Sequence, residues 1–531
     1  MRNLAFLVLL TLLSMFAAAQ GRRGAAPSEH PAEAKSDEAP KPPVADKEKE
    51  KDAPEEKPVI THHQIAVGGK TLRYTATVGM MPIKNEQTNK VEAHMFYVAY
   101  TLDNPPSGRP LTFAFNGGPG SSSVWLHMGA IGPKRVKMLP EGGMPAPPFQ
   151  VEDNQYTWLD ATDLVFIDPV GTGYSRALTP ELGKKFWSLQ GDIASVGEFI
   201  RMYLTRSQRW TSPLFLAGES YGTTRAAGLS GYLIDRGIPL NGITLISSVL
   251  HFETLGFARG NDLPYIAYLP TYAMTAQYHK KLPPDVQAMD GAKLLAEVLQ
   301  WANTGYTEAL QKGDRLSADE RRAVIERLAR YTGLSPAIID EHDLRIDQQT
   351  FGRELLRDRK LVVGRLDSRF VGPSSPGDGP FANDPSEAAI RPPFTTVFNE
   401  YVRSELDYKT DLIYYILGGG IGAQWDMGTG ARGGFPETAD ALRRAFVKNP
   451  YMRVLVAEGW YDNATPINGI EYTLSHMGLD APMRNNISTA QYPAGHMVYI
   501  QATSLAKMKK DVVDMMQQAL KGGGNDLSPA R

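Results

Sequence analysis

The sequence predicts an α/β protein with a central, mostly parallel sheet flanked by helices and a helical insertion near its middle. Three observations carry this. Short, nearly continuous apolar runs over residues 111–115, 164–167, 214–217, 243–246, 454–457 and 487–492 each end near Gly, Asp or Asn. Strands buried on both faces read this way and belong in a parallel sheet covered by helices. Stretches of helical period separate several of them. A long helical interval, residues 253–395, interrupts the strand rhythm after 243–246.

Taken in chain order, Arg2, an apolar run over residues 4–16 and Ala17-Ala18-Ala19 predict a cleavable signal peptide over residues 1–19, cut before Gln20. The alternative, an uncleaved anchor, needs roughly 20 apolar residues, more than this run supplies. No later segment is long and apolar enough to cross a bilayer. The expected location is therefore exported, periplasmic or secreted. Residues 20–59 are dense in Pro, Glu, Lys and Ala, typified by Lys47-Glu48-Lys49-Glu50-Lys51-Asp52. They hold too little apolar surface to offset their ordering entropy, so they read as a charged, disordered linker. A grip on a cell-wall polymer is the alternative.

The core is expected over residues 60–252 and 396–521, with a cap over 253–395 and a tail over 522–531. Leu72, Tyr74, Ala76 and Val78, then Ala93, Met95, Tyr97 and Ala99, alternate with period two, as half-buried antiparallel strands do. Ile193, Val196, Phe199, Ile200 and Tyr203 share one helical face before the run at 214–217. In the cap, Ser317 and Glu320 form a capping box ahead of a stripe of Val324, Leu328 and Tyr331. Residues 371–393, rich in Gly and Pro, read as loop. Residues 506–520 read as a last amphipathic helix. A second domain unrelated to catalysis is the alternative reading of the cap.

Bulk composition narrows the function classes. The 531-residue chain is 42% hydrophobic and 21% charged, with a net charge of -2. That balance gives no sign of a nucleic-acid partner. It contains no cysteine, which excludes disulfides, thiolate metal sites and a cysteine nucleophile.

The chemistry centres on Gly218-Glu219-Ser220-Tyr221-Gly222, directly after an apolar strand. A serine between two glycines at a strand-to-helix turn is the pattern of a nucleophile elbow. An activated serine needs a base, and the base needs an orienting acid, in the order serine, acid, histidine. Asp462 lies in the loop after 453–457, and His496 follows the last strand in Pro493-Ala494-Gly495-His496. His476, the other histidine beyond Asp462, falls inside a helical stretch and reads as a surface residue. Asn116-Gly117-Gly118-Pro119-Gly120 follows the run at 111–115, where an oxyanion-binding loop belongs. The expected donors are the amides of Gly118 and Tyr221. A phosphate-cradling loop is the weaker alternative, because no Lys-Ser/Thr follows as a P-loop requires.

Asn116-Gly117-Gly118-Pro119-Gly120-Ser121-Ser122, Asp168-Pro169-Val170-Gly171-Thr172-Gly173-Tyr174-Ser175, Gly218–Gly222 and Gly495-His496-Met497 resemble, in order, the signature blocks of the serine carboxypeptidase family. The resemblance implies the α/β-hydrolase fold and removal of C-terminal residues from peptides with a free C-terminus, usually best in acid. It implies Ser220 as nucleophile, His496 as general base and acid, Asp462 as its orienter, and Asn116 with Glu219 as holders of the substrate carboxylate. A carboxyl holds a carboxylate only while protonated, so binding should weaken as Glu219 ionises.

Two positions depart from the family pattern. Ala114 stands where a tryptophan is usual, and Ala130 where a glutamate is usual. Both weaken the case for acid preference and strict exopeptidase action. Ser121 in place of a cysteine, and the absence of disulfides, resemble a bacterial-type branch.

No cofactor and no metal are expected. His62 and His63, adjacent on a strand, point apart and make a poor metal site. Trp125, Tyr174, Phe394, Tyr414, Tyr415 and Trp425 are candidates for a cleft lining, though single aromatics more often belong to the core. Two rivals stand beside the carboxypeptidase reading: an esterase or acyltransferase on the same scaffold, and a catalytically silent wall-associated binding protein.

Overall fold

In the computed structural model, nine strands line up in a single twisted sheet: β1 (Val59–Val67), β2 (Lys70–Lys84), β3 (Val91–Leu102), β4 (Leu111–Phe115), β5 (Asp163–Ile167), β6 (Leu214–Ser220), β7 (Gly242–Ser248), β8 (Arg453–Gly459) and β9 (Ile487–Tyr492). The structure describes residues 56–374, 384–428 and 434–521, which fall in one compact unit. The expected signal peptide, nearly all of the charged linker and the C-terminal tail lie outside the described residues.

The spatial order is β1-β2-β3-β5-β4-β6-β7-β8-β9, with the short strand Arg176–Ala177 paired to β3. The first three strands are antiparallel, β3 meets β5 antiparallel, and every later pairing is parallel. The sheet has one more leading strand than the alternation at 72–78 and 93–99 announces. β1 buries only Ile65 and Val67, so its polar His62-His63-Gln64 stretch carries almost no periodic signal. His62 is exposed and bonds Thr75, while His63 on the opposite face bonds Thr61.

Alternation along the strands divides the core. One face joins Phe96, Val98, Ala114, Phe166, Phe215 and Ala217 to the C-terminal helix. The other joins Met95, Phe113, Val165, Leu216 and Leu245 to α1 (Leu189–Arg206) and α2 (Tyr221–Ile234). α1 buries Ile193, Val196, Phe199, Ile200 and Tyr203, the stripe its spacing predicts.

Between β7 and β8 lie α3 (Leu263–Tyr278), α4 (Ala318–Thr332) and α5 (Pro385–Ser404), with shorter helices among them. α6 (Ala502–Leu520) closes the fold. α4 starts at the Ser317/Glu320 capping box and buries Leu328 and Tyr331. The insertion has its own apolar cluster around Tyr272, Leu294, Trp301, Tyr331 and Phe351.

Two expectations here need correction. Residues 385–393 are helix, not loop, despite Pro392 and Pro393. An interior proline costs about 3 kcal/mol. The stripe Ile390, Phe394, Val397, Phe398, Tyr401 and Val402 is buried, and each such side chain contributes about 1.5–3 kcal/mol. Burial wins. The same stripe packs into the sheet's core cluster rather than the insertion's. A boundary at residue 395 therefore cuts through a core helix.

Candidate active site

β6 ends on Ser220, whose backbone sits at φ 59° and ψ −133° before α2 begins at Tyr221. A non-glycine residue held there is strained by roughly 1–3 kcal/mol. The turn is tight enough to demand its glycines: a Cβ on Gly218 would lie 2.3 Å from the Gly222 carbonyl oxygen. Ser220 is partly exposed while its neighbours Glu219 and Tyr221 are buried. The hydroxyl thus stands at the C-terminal edge of the parallel strands, the rim where open α/β sheets bind ligands.

The acid and base loops converge on this rim. Asp462, in the turn after β8, is fully buried and accepts from Ala464 N at 2.7 Å and Thr465 N at 2.9 Å through Oδ1. Its Oδ2 accepts from Thr465 Oγ1 at 2.6 Å and from His496 Nδ1 at 2.8 Å. A carboxylate can only accept, so Nδ1 carries the proton and Nε2 is left as the basic nitrogen. Burial alone would lower the His496 pKa. The Asp462 charge and hydrogen bond, helped by the Glu219 charge, outweigh burial and raise it.

The charges of His496 and Glu219, the residue before Ser220, thus act on each other. The Ser247 hydroxyl, on the strand next to β6, donates to the His496 carbonyl. Among the described residues no hydrogen bond joins Ser220 Oγ to the imidazole. Such contacts often tighten only when substrate is bound.

The glycine-rich loop after β4 presses against the start of α2. A Cβ on Gly117 would lie 2.4 Å from Tyr221 N and 2.6 Å from Gly222 N, so only glycine permits this approach. Tyr221 opens α2 and its N–H has no acceptor within the helix. The Gly118 N–H donates to no backbone carbonyl among the described loops. Two amides of the kind an oxyanion hole uses are thus free beside the elbow.

Asn116 and Glu219 lie close enough to interact, and both are buried. Asn116 Oδ1 accepts from Leu126 N at 3.0 Å, while its Nδ2 has no formed hydrogen bond. That amide still acts favourably on the Glu219 carboxylate. Burial pushes the Glu219 pKa up to about 7, against the opposing pull of His496, Tyr499 and Asn116. The Tyr499 hydroxyl donates to Glu219 Oε2.

Several members of the site escaped the sequence reading. Tyr499 and Thr465 touch predicted residues but lie in no recognisable pattern. Beneath the elbow, Arg225 is fully buried, pairs with Asp192 at 2.8 Å and donates from Nη1 to the Asn116 carbonyl at 2.6 Å. It fixes the peptide leading into Gly117. Asp168 accepts from Ser123 N and Oγ, each at 2.8 Å, tying the second glycine-rich block to the first. Of the candidate cleft aromatics, Trp125, Tyr174, Phe394 and Tyr414 are buried core residues. Trp425 stacks edge-on against Tyr221 at 5.4 Å. His476 is exposed at a helix end, away from the rim.

Residues 72–241 match the serine carboxypeptidase family model. That span contains Asn116, Gly118, Glu219, Ser220 and Tyr221, but neither Asp462 nor His496. The chain is 31% identical over 202 residues to the pheromone-processing carboxypeptidase KEX1 of Coprinopsis cinerea, covering 36% of this chain and 29% of that protein. It is 27% identical over 189 residues to serine carboxypeptidase S10 family member 1 of Dictyostelium discoideum, covering 35% of this chain and 40% of that one. The chain thus spans less than half the length of these curated relatives. The crystal structure of KEX1(delta)p, a prohormone-processing carboxypeptidase from Saccharomyces cerevisiae, superimposes with a TM-score of 0.51 at 17% identity, over 84% of this chain and 91% of that one. The fold is that of the α/β-hydrolases.

Proposed function

We propose that this protein is a serine-type carboxypeptidase that hydrolyses the C-terminal peptide bond of peptides through an acyl-enzyme. The observation that carries the reading is the strained Ser220 elbow, set between two free amides at the rim that receives the Asp462–His496 pair. In this reading Ser220 Oγ attacks the scissile carbonyl as His496 Nε2 takes its proton. The amides of Gly118 and Tyr221 hold the oxyanion. His496 then returns the proton to the leaving amino group, and water, deprotonated by the same imidazole, releases the acyl group and restores Ser220. Asp462 keeps the imidazole in the required tautomer. Asn116 and protonated Glu219 hold the substrate's free carboxylate.

Export through residues 1–19, a cap role for the helical insertion, and membership of a cysteine-free, bacterial-type branch belong to the same proposal. The curated relatives named above are eukaryotic. A fluorophosphonate probe should label Ser220 in the folded protein, and N-blocked dipeptides should release their last amino acid. Absence of labelling overturns the enzyme reading. Equal turnover of substrates with free and amidated C-termini would instead favour an esterase or acyltransferase.

A further inference from the structure

Residues 364–370 of the helical insertion run as a strap between the loops that carry Asp462 and His496. The Leu366 carbonyl accepts the His496 backbone N–H at 2.6 Å. Asp367 Oδ2 accepts the Gly495 N–H at 3.1 Å, and Ser368 reaches the Tyr461 carbonyl with both its N–H and its hydroxyl at 3.0 Å. The Asp367 charge is met within the strap by Arg369, at 2.6 Å.

Arg365 is different. Its backbone N–H is held by Asp384 at 3.1 Å, yet its guanidinium makes no hydrogen bond and no ion pair among the described residues. The residue is partly buried, one position from the carbonyl that grips His496. Its charge reaches both His496 and Tyr268 of α3, whose hydroxyl donates to the Ala464 carbonyl just beyond Asp462. The strap thus brings Arg365 to the rim where the Asp462 and His496 loops meet, one residue from the carbonyl that holds the His496 N–H. A guanidinium offers five donors in a planar fork and no acceptor, a geometry that matches a carboxylate. Holding the strap in place does not call for this charge, because the backbone and Asp367 do that.

We infer that Arg365 binds a carboxylate of the substrate, either the free C-terminus or an acidic side chain on the last residue. This rests on the hydrolase reading of the rim. Direct binding tests it without needing turnover. In a Ser220→Ala background, calorimetry would compare N-acetylphenylalanine, its amide, and N-acetylglutamic acid α-amide, which carries only a side-chain carboxylate. Adding Arg365→Gln should weaken at least one of the two acids tenfold or more and leave the neutral amide within twofold. Loss for the first acid alone identifies the terminal carboxylate, and loss for the second alone identifies the side chain.

Unchanged affinity for both acids, no measurable binding of either at millimolar concentration, or an equal fall for all three ligands would overturn the inference. Arg365→Lys keeps the charge but not the fork and should fall between the parent and the Gln variant. It also decides the matter if the Gln variant melts early. Failure of the unsubstituted protein to hydrolyse peptides would sink the proposed function while leaving this binding result to stand on its own.

Discussion

Replacing Glu219 by Gln isolates the role of one proton. The carboxyl is buried and faces His496, Tyr499, Asn116 and Asp462, and its pKa is pushed up to about 7. If it holds the substrate carboxylate only when protonated, the competent fraction falls about tenfold between pH 6 and pH 8. The kcat/KM for a blocked dipeptide with a free C-terminus should fall by that factor, whereas its amide should not. In Glu219→Gln the alkaline fall should vanish. The acid side should also move to lower pH, because the Glu219 charge helps raise the His496 pKa. The two limbs belong to the coupled pair, so both must shift in one variant.

Stability gives a second reading. A carboxyl whose folded pKa lies above its unfolded value of 4.5 stabilises the fold fully at low pH. That contribution is lost as pH rises from the unfolded value through the folded one. The loss is on the order of 3 kcal/mol for a fully buried group. Thermal melts of the unsubstituted protein should therefore weaken from pH 4.5 to pH 7 relative to the Gln variant. An alkaline limb that survives in Glu219→Gln would refute the carboxylate role.

Four further substitutions address the elbow and its supports. Ser220→Ala should abolish turnover without changing the melting temperature, while Ser220→Gly should also abolish turnover yet raise stability by about 1 kcal/mol by relieving the φ 59° strain; equal melting of the two variants would contradict the strain argument. Thr465→Val removes a 2.6 Å hydrogen bond to Asp462 and should lower kcat several-fold with little change in KM. Asp192→Ala leaves Arg225 buried without its partner and should destabilise the fold by about 3–5 kcal/mol, read by urea unfolding.

The parts of this site legible in the sequence are those imposed by local geometry. Gly218, Ser220 and Gly222 announce an elbow because the flanking glycines leave room for the tight turn that presents the serine. Asp462 and His496 stand out because each follows a parallel strand that ends on one rim of the sheet, although β9 is an edge strand that buries only Tyr492. Apart from Thr465, which contacts Asp462 three residues away, what escaped was fixed by contacts distant in the chain. Nothing near Arg225 reveals that it reaches back to Asn116, and Tyr499 looks like one more apolar residue after the histidine. Pro392 and Pro393 misled for a related reason. Their local cost is visible in the sequence, whereas the buried stripe that outweighs it becomes visible only once α5 meets the sheet.

The strap changes what the insertion means for the proposed active site. His496 is oriented through its ring by Asp462, but its backbone is held by Leu366 and Ser247, one from the insertion and one from β7. Gly495 approaches Asp367 so closely that a Cβ there would lie 2.4 Å from both Cβ and Cγ of the aspartate. The base loop is thus shaped against a residue more than a hundred positions earlier in the chain. A cover that merely lay over the rim could vary in position without disturbing the imidazole. One hydrogen-bonded to the base loop cannot. Residues 364–370 consequently belong with the framework of the proposed active site, although nothing in their sequence resembles a catalytic motif.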